Sequence, residues 1–451
     1  MIITINPYTQ AKIKAYSTLT SKGVEDKIQL AQNTFIRWRD ASFAERAKSF
    51  RKMSRLLREN AESYAEVITA EMGKPISQAI AEVEKCAWVC DYYCENAAQF
   101  LRSEFVETEA KKSWIVYEPL GVILGIMPWN FPFWQVMRFV APTLMAGNVV
   151  LIKHAPGTIG CAVLLEELFE QAGFEQGIYT NLIVTVEEVP KILEHQHVKA
   201  VTLTGSEPAG AAVASCAAAQ IKKSVLELGG SNALIVCKDA DLQRAVDIAI
   251  TGRMQNNGES CIAVKRILVQ RDKAEDFINL MVSRLKELVV GDPFSSKTDI
   301  GPLARLDLAE QLEEQVMDSI KAGASPQLEF KRDIAIIHPN LLTNVQPGMR
   351  AFDEELFGPI ASVTIFDEFE QAIELSNESR FGLGVSICTQ NEKKVIDVLS
   401  QFEQGSVFIN QMVMSDPRLP FGGIKKSGFG RELGIRGIHE FVNTKTVYVA
   451  E

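Results

Sequence analysis

Three short segments of the chain carry side chains that can act as nucleophile, base and hydrogen-bond donor. Asn256-Asn257-Gly258-Glu259-Ser260-Cys261 is a polar, glycine-containing turn that ends on a thiol. A thiol at such a junction can be both accessible and lowered in pKa, as a nucleophile must be. An inert buried cysteine is the commoner fate of any single Cys. Leu226-Glu227-Leu228-Gly229-Gly230 places a carboxylate at the end of an apolar strand, where it can serve as a general base or as half of a structural salt bridge. In Pro128-Trp129-Asn130-Phe131-Pro132-Phe133-Trp134, Asn130 is hemmed by residues that restrict the backbone. That suits a fixed amide donor to an oxyanion, or simply a turn. Trp134 and Arg138 are four apart and share one helix face. The planar fork of an arginine grips carboxylates well, and equally well forms an ion pair within the protein.

The chain around these segments has 451 residues, enough for two or three domains of about 150 residues. Apolar content of 47% and charged content of 23% are ordinary for a globular enzyme. The net charge of −10 argues against a nucleic-acid partner, which asks for a basic patch. No apolar run approaches the ~18 residues of a spanning helix, and the first residues lack the basic and apolar regions of a secretory leader. A cytoplasmic protein that does not engage membranes is expected. Eight cysteines in so long a chain do not suggest a disulfide framework. Cys86, Cys90 and Cys94 share a helix face, read here as a core stripe because no histidine lies near them to complete a metal site. With five histidines in all, a multi-histidine metal centre has little material, and no metal is expected.

The elements that must position these groups alternate. Residues 24–103 read as mostly helical, with Leu30, Phe35, Trp38, Met53, Leu57 and Tyr64 at helical spacings. From 148 onward short apolar runs alternate with helical stretches: strands at 149–152, 182–184, 200–203, 224–228 and 233–236, helices at 163–169, 189–193 and 209–219. A second such stretch follows Gly230, with helices near 241–256 and 273–289 and strands near 266–269, 361–366 and 406–409. Alternation at this spacing means βαβ units and parallel sheets, whose ligands bind at the carboxyl ends of the strands. Ser113–Tyr117 is β-prone and could leave the main body, and Thr446–Val449 has no partner nearby in sequence. Such an edge is usually covered, sometimes by another subunit. Gly205-Ser206-Glu207-Pro208-Ala209-Gly210 lies at a strand-to-helix turn but lacks the three-glycine dinucleotide fingerprint.

Taken together and in order, these motifs resemble the aldehyde dehydrogenase superfamily over nearly the whole chain. The resemblance rests on Asn6-Pro7, Pro128-Trp129-Asn130-Phe131-Pro132, Thr204-Gly205-Ser206, Leu226-Glu227-Leu228-Gly229-Gly230, Gly258-Glu259-Ser260-Cys261, Glu355-Leu356-Phe357-Gly358-Pro359 and Pro420-Phe421-Gly422-Gly423-Ile424-Lys425. It implies an α/β fold of two doubly wound domains and a small β oligomerisation arm. Residues 1–103 and 119–228 would form a Rossmann-like dinucleotide-binding domain and 229–424 the catalytic domain. Residues 104–118 and 425–451 would bridge subunits of a homodimer or homotetramer. It implies Cys261 as the nucleophile, the Asn130 amide and the Cys261 N–H as oxyanion donors, and hydride transfer to a nicotinamide that leaves a thioester. Glu227 would then activate water. Relatives that transfer the acyl group to CoA lack a base at this position, so water is the expected acceptor.

The same resemblance assigns the cofactor NAD or NADP to Trp129, Lys153, Gly205, Ser206, Glu355 and Phe357, with the helix after Ser206 supplying donors to the pyrophosphate. An acidic residue three positions after Lys153 would bond the ribose 2′-OH and disfavour a 2′-phosphate. Pro156 stands there and neither repels nor binds phosphate, so NADP is expected to be usable. The runs 134–138, 151–155 and 415–421 resemble the succinate-semialdehyde-oxidising group of the family. In that group the positions of Arg138, Ser260 and Ser415 meet the substrate's carboxylate, with Trp134 beside them and Arg418 as a further candidate. The expected substrate is therefore succinate semialdehyde. The alternatives are another short aliphatic or ω-carboxylated aldehyde such as glutarate semialdehyde, a cofactor-independent esterase, or a non-catalytic structural protein. Two departures stand out: Glu259 where many members carry Gln, which would put charge near an anionic substrate, and a short, glycine-poor stretch at 325–341.

Overall fold

A computed structural model describes all 451 residues. Two parallel-stranded sheets form its centre. The first has six strands in the order Gly428–Phe429, Lys223–Glu227, Val198–Thr204, Val122–Ile126, Val149–Lys153 and Tyr179–Asn181. All its pairings are parallel except that of Gly428–Phe429. The second has seven, in the order Ser325–Pro326, Asn340–Thr343, Ile360–Phe366, Val264–Gln270, Asn232–Val236, Val385–Cys388 and Val407–Ile409. Only its Ser325–Pro326 edge runs antiparallel.

The second sheet shows why these strands form. Along Asn232–Val236 every residue is buried, yet Ala233 and Ile235 join one apolar cluster and Leu234 and Val236 another. Side chains alternate across a strand, so both faces are covered, and a near-continuous apolar run is what such a strand requires. The first sheet shares a larger cluster with the helices Ser21–Trp38, Phe43–Glu59, Ala61–Met72 and Ile76–Phe100. Cys86 and Cys90 are fully buried within it, and no cluster of His, Cys, Asp and Glu suited to a metal ion occurs. No helix is long and apolar enough to cross a membrane.

Strand order locates the ligand crevice. The chain enters the first sheet at Val122–Ile126, proceeds outward through Val149–Lys153 and Tyr179–Asn181, then returns to the other side at Val198–Thr204. A reversal of this kind opens a crevice at the carboxyl ends of the two central strands, which lead directly into Asn130 and into Gly205. From Glu227, the end of a first-sheet strand, four residues carry the chain to Asn232, the start of a second-sheet strand. The carboxyl edge of the first sheet therefore adjoins the amino edge of the second. Cys261 precedes Val264–Gln270 and so lies at an amino edge, contrary to the expectation that the chemistry of both sheets gathers at carboxyl ends.

One other expectation changes, and the late segments find their partners. The strand expected at 182–184 lies at Tyr179–Asn181, because the ladder to Val149–Lys153 closes three residues earlier. Residues 442–449, without a neighbour in sequence, pair along their whole length with Lys112–Pro119, and Glu104–Phe105 completes a three-stranded sheet. Within residues 425–451, Gly428–Phe429 extends the first sheet, and Leu433, Ile438, Phe441 and Val442 enter its core.

Candidate active site

The loop before Cys261 is wound tightly. Asn256, Asn257 and Gly258 are consecutive left-handed residues with φ of 58°, 56° and 76°. Asparagine tolerates this region because its short amide bonds locally, and both amides are engaged. Asn257 Nδ2 donates to the carbonyls of Gly73 and Pro302 at 3.0 and 2.9 Å, while its Oδ1 accepts from Gly301 N–H at 2.8 Å. Asn256 Nδ2 donates to the carbonyls of Asn130 and Glu259, both at 2.9 Å. Gly258 has no alternative, since a Cβ there would collide with the Gly358 carbonyl. A Gly258→Ala variant is accordingly expected to lose on the order of 2–4 kcal/mol of stability, read from its denaturant midpoint. A wild-type midpoint together with wild-type turnover would show the loop to be free of this constraint.

Asn130 meets the same loop, its Nδ2 donating to the Glu259 carbonyl at 3.0 Å and keeping a second N–H. The turn carrying it is pinned from below. The buried Glu82 accepts the N–H groups of Phe133 and Trp134 at the start of the helix Trp134–Met145, each at 2.9 Å, and pairs with the buried Lys74. The Lys74 ammonium lies 3.9 Å from the centre of the Phe131 ring. Gly230 packs against the Cys261 carbonyl, where a Cβ would come to 2.7 Å. The Glu227–Gly230 segment and the thiol loop thus touch.

Cys261 keeps partial exposure, unlike the buried Cys86, Cys90, Cys161, Cys237 and Cys388. Burial raises its thiol, and Arg138 and Lys265 oppose the rise. The Glu227 carboxyl is 2% exposed, neither oxygen has a hydrogen-bond partner, and a Cβ on Gly422 would come within 2.6 Å of Oε1. Burial first, then Glu432, raise its pKa well above the usual carboxylate range against the pull of Arg138 and Arg431. A carboxylate buried without donors is a stronger base than one in water, so in its ionised form it can take a proton from water.

Several residues not foreseen complete the site. Glu432 pairs with Arg138 Nε, and Arg138 Nη2 donates to Thr204 Oγ1 at 3.3 Å. Of the two readings of Arg138, the structure displays the internal ion pair. Lys265 Nζ donates to the carbonyls of Ser260 and Cys261 at 2.7 and 2.8 Å and bonds Glu355 Oε1 at 2.8 Å. Glu432 lies nearly 300 residues beyond Arg138, and such pairing leaves no local trace. Lys265 stands in sequence just before the strand expected near 266–269, with nothing local to mark its role. Glu259 turns away from the site to accept the Ala304 N–H at 3.1 Å, and burial raises its pKa well above the usual range. Burial thus favours the neutral form of Glu259, and its carboxyl is directed at the Ala304 backbone.

The residues expected at the cofactor fall into two groups. Glu355, Phe357 and Trp129 gather at the thiol loop: Glu355 accepts the Gly230 N–H at 3.1 Å, and the Trp129 and Phe357 rings meet edge-on at 5.8 Å. Lys153, Gly205 and Ser206 lie on the carboxyl edge of the first sheet. The buried Lys153 has only the His154 carbonyl at 3.4 Å for a partner, and burial lowers its pKa. Ser206 caps the helix Glu207–Ala219 without a side-chain bond, leaving first-turn N–H groups free for an anion. Beside Lys153, His154, Thr180 and Asn181 hold buried polar atoms without partners. A buried lysine whose one acceptor is a carbonyl at 3.4 Å, and an open helix N-terminus, fit a nucleotide with a phosphate-rich centre. On the substrate side, Trp134 Nε1 donates to Ser415 Oγ at 3.0 Å, whereas Ser260 is tied to the thiol loop through its carbonyl. Arg418 turns to Asp416 and is largely exposed.

The comparisons agree in direction. A profile of the aldehyde dehydrogenase family matches residues 1–447. A probable succinate-semialdehyde dehydrogenase (NADP+) of Synechocystis sp. is 48% identical over 452 residues, covering 100% of both chains. A succinate semialdehyde dehydrogenase (NAD(P)+) of Escherichia coli is 43% identical over 449 residues, covering 99% of this chain and 97% of the other. The crystal structure of the succinic semialdehyde dehydrogenase of Streptococcus pyogenes, in complex with NADP+, superposes with a TM-score of 0.97 at 34% identity, covering 100% of each chain.

Proposed function

This chain belongs to the aldehyde dehydrogenase family, and from that premise we propose that it oxidises succinate semialdehyde to succinate with NADP+ or NAD+. The observation that carries the reading is the convergence of the Cys261 loop, Asn130 and Glu227 where the two sheets adjoin. The family and the named relatives supply the substrate class.

Each residue's part follows from its surroundings. Trp129, Lys153, Gly205, Ser206, Glu355 and Phe357 would hold the nicotinamide cofactor, which when bound would supply the hydride acceptor. Cys261 adds as thiolate to the aldehyde carbon, favoured by the charges of Arg138 and Lys265. The free N–H of Asn130 Nδ2 and the Cys261 N–H hold the oxyanion. Once the carbon is oxidised to the acyl level, Glu227 takes a proton from the water that attacks the thioester, and Cys261 leaves as thiolate. Trp134, Arg138, Ser260 and Ser415 surround the rest of the substrate. The three-stranded arm exposes Phe105, Tyr448 and Val449 and joins subunits into a homodimer or homotetramer in this reading, which also places the enzyme in the cytoplasm.

The test is NAD(P)H formation with succinate semialdehyde, glutarate semialdehyde and acetaldehyde, each with NAD+ and NADP+. The acidic aldehydes should lead in kcat/KM by about 100-fold, the scale of a desolvated charge contact, and both cofactors should serve. Equal efficiency for acetaldehyde would sink the assignment of an acidic substrate.

A further inference from the structure

Arg138 reaches the substrate region with its charge already matched by Glu432 and one amino group spent on Thr204. A second cation stands nearby without such a match. Lys85, on the helix Ile76–Phe100, directs Nζ to Ser415 Oγ at 2.9 Å and lies 4.3 Å from the centre of the Trp134 ring. Trp134 Nε1 donates to the same hydroxyl at 3.0 Å. A serine oxygen has two acceptor positions and one hydrogen. Lys85 and Trp134 fill both acceptor positions, so the hydroxyl hydrogen is left to point at something else.

No carboxylate is free to answer this donor set. Glu82 is held by Lys74 and by the Phe133 and Trp134 N–H groups, and Asp416 is held by Arg418. Burial, and then the proximity of Arg138, bring the Lys85 pKa down to about 8. An ammonium drawn from water and left without a counter-ion is unfavourable until an anion completes it.

We infer that Lys85, with the Ser415 hydroxyl it orients, binds the carboxylate at the far end of an ω-carboxylated aldehyde and so sets the preference for acidic substrates. The inference rests on the proposed function and adds to it a residue on a helix remote in sequence from the thiol loop. Lys85 acts on binding, not on the reacting carbon, so its removal should appear in KM rather than in kcat.

The experiment compares wild type, Lys85→Met and Lys85→Arg, each folded as judged by thermal unfolding, using NADP+ with succinate semialdehyde and with butanal, its equivalent in length without the acid. Lys85→Met should lower kcat/KM for succinate semialdehyde by about 30- to 100-fold, nearly all through KM, and affect butanal far less. Lys85→Arg, which keeps the charge, should keep most of the preference. Equal losses on both aldehydes would assign Lys85 a structural role, and an unchanged preference in Lys85→Met would remove it from recognition. Either result overturns this inference and leaves the enzyme's substrate intact. If Lys85→Met does not fold, loss of the preference in Lys85→Arg overturns it, and retention supports it. A wild-type enzyme without preference for the acid overturns both readings.

Discussion

Glu227→Gln is expected to yield a burst of NAD(P)H equivalent to the enzyme present and then to turn over about 10²- to 10⁴-fold more slowly than the parent. The amide keeps the side chain's size in the slot beside Gly422, so the thiol, its loop and Asn130 stay in place and acylation proceeds. The missing function is a base for the deacylating water. The pH dependence follows from direction alone. Burial and Glu432 raise the Glu227 pKa well above the carboxylate range, and the base is the ionised form. Steady-state turnover should therefore climb as pH rises through that raised value and fall below it. Glu227→Gln should lack that limb. Stopped-flow and steady-state traces across pH decide the matter; undiminished turnover would remove Glu227 from the mechanism.

Cys261→Ala should abolish both burst and turnover, by 10⁴-fold or more on the scale of losing a covalent nucleophile. Alanine removes the thiol while the loop that carries it stays tied by Lys265 to the Ser260 and Cys261 carbonyls. Parent enzyme without NAD(P)+ should form no acid from the aldehyde, which separates oxidation from a cofactor-free hydrolase. Aldehyde oxidation by the alanine variant at the parental rate would refute the assignment. So would the absence of any redox product from the parent.

The parts of this site legible in sequence were those written in contiguous residues. Asn130, Glu227 and Cys261 each sit in a short run whose glycines or prolines mark a turn, and the two parallel sheets announced themselves through alternation of apolar runs and helices. What escaped was made by distance. Glu432 and Lys85 come from opposite ends of the chain to stand beside one helix, and neither carries a local signal of its destination. The direction of Glu259 escapes the sequence for a related reason. Its charge was legible, but its direction depends on three successive left-handed residues that swing it to Ala304. The strand at Tyr179–Asn181 was displaced to 182–184 because Leu182-Ile183-Val184 is the more apolar run. The ladder is set by its partner strand, and tertiary pairing overrides propensity.

The late segment also bears on how the molecule comes into being. All seven strands of the second sheet lie between residues 232 and 409, whereas the first sheet takes its edge from Gly428–Phe429 and its core from residues as late as Val442. Chains emerge from the ribosome amino end first, and domains there usually fold first. Here the order is expected to invert: the first sheet keeps an uncovered edge beside Glu227 until residues 428–442 have been synthesised. Loss of residues 422–451 would spare every strand of the later-made sheet and leave the earlier one unfinished, with Arg138 deprived of its counter-charge.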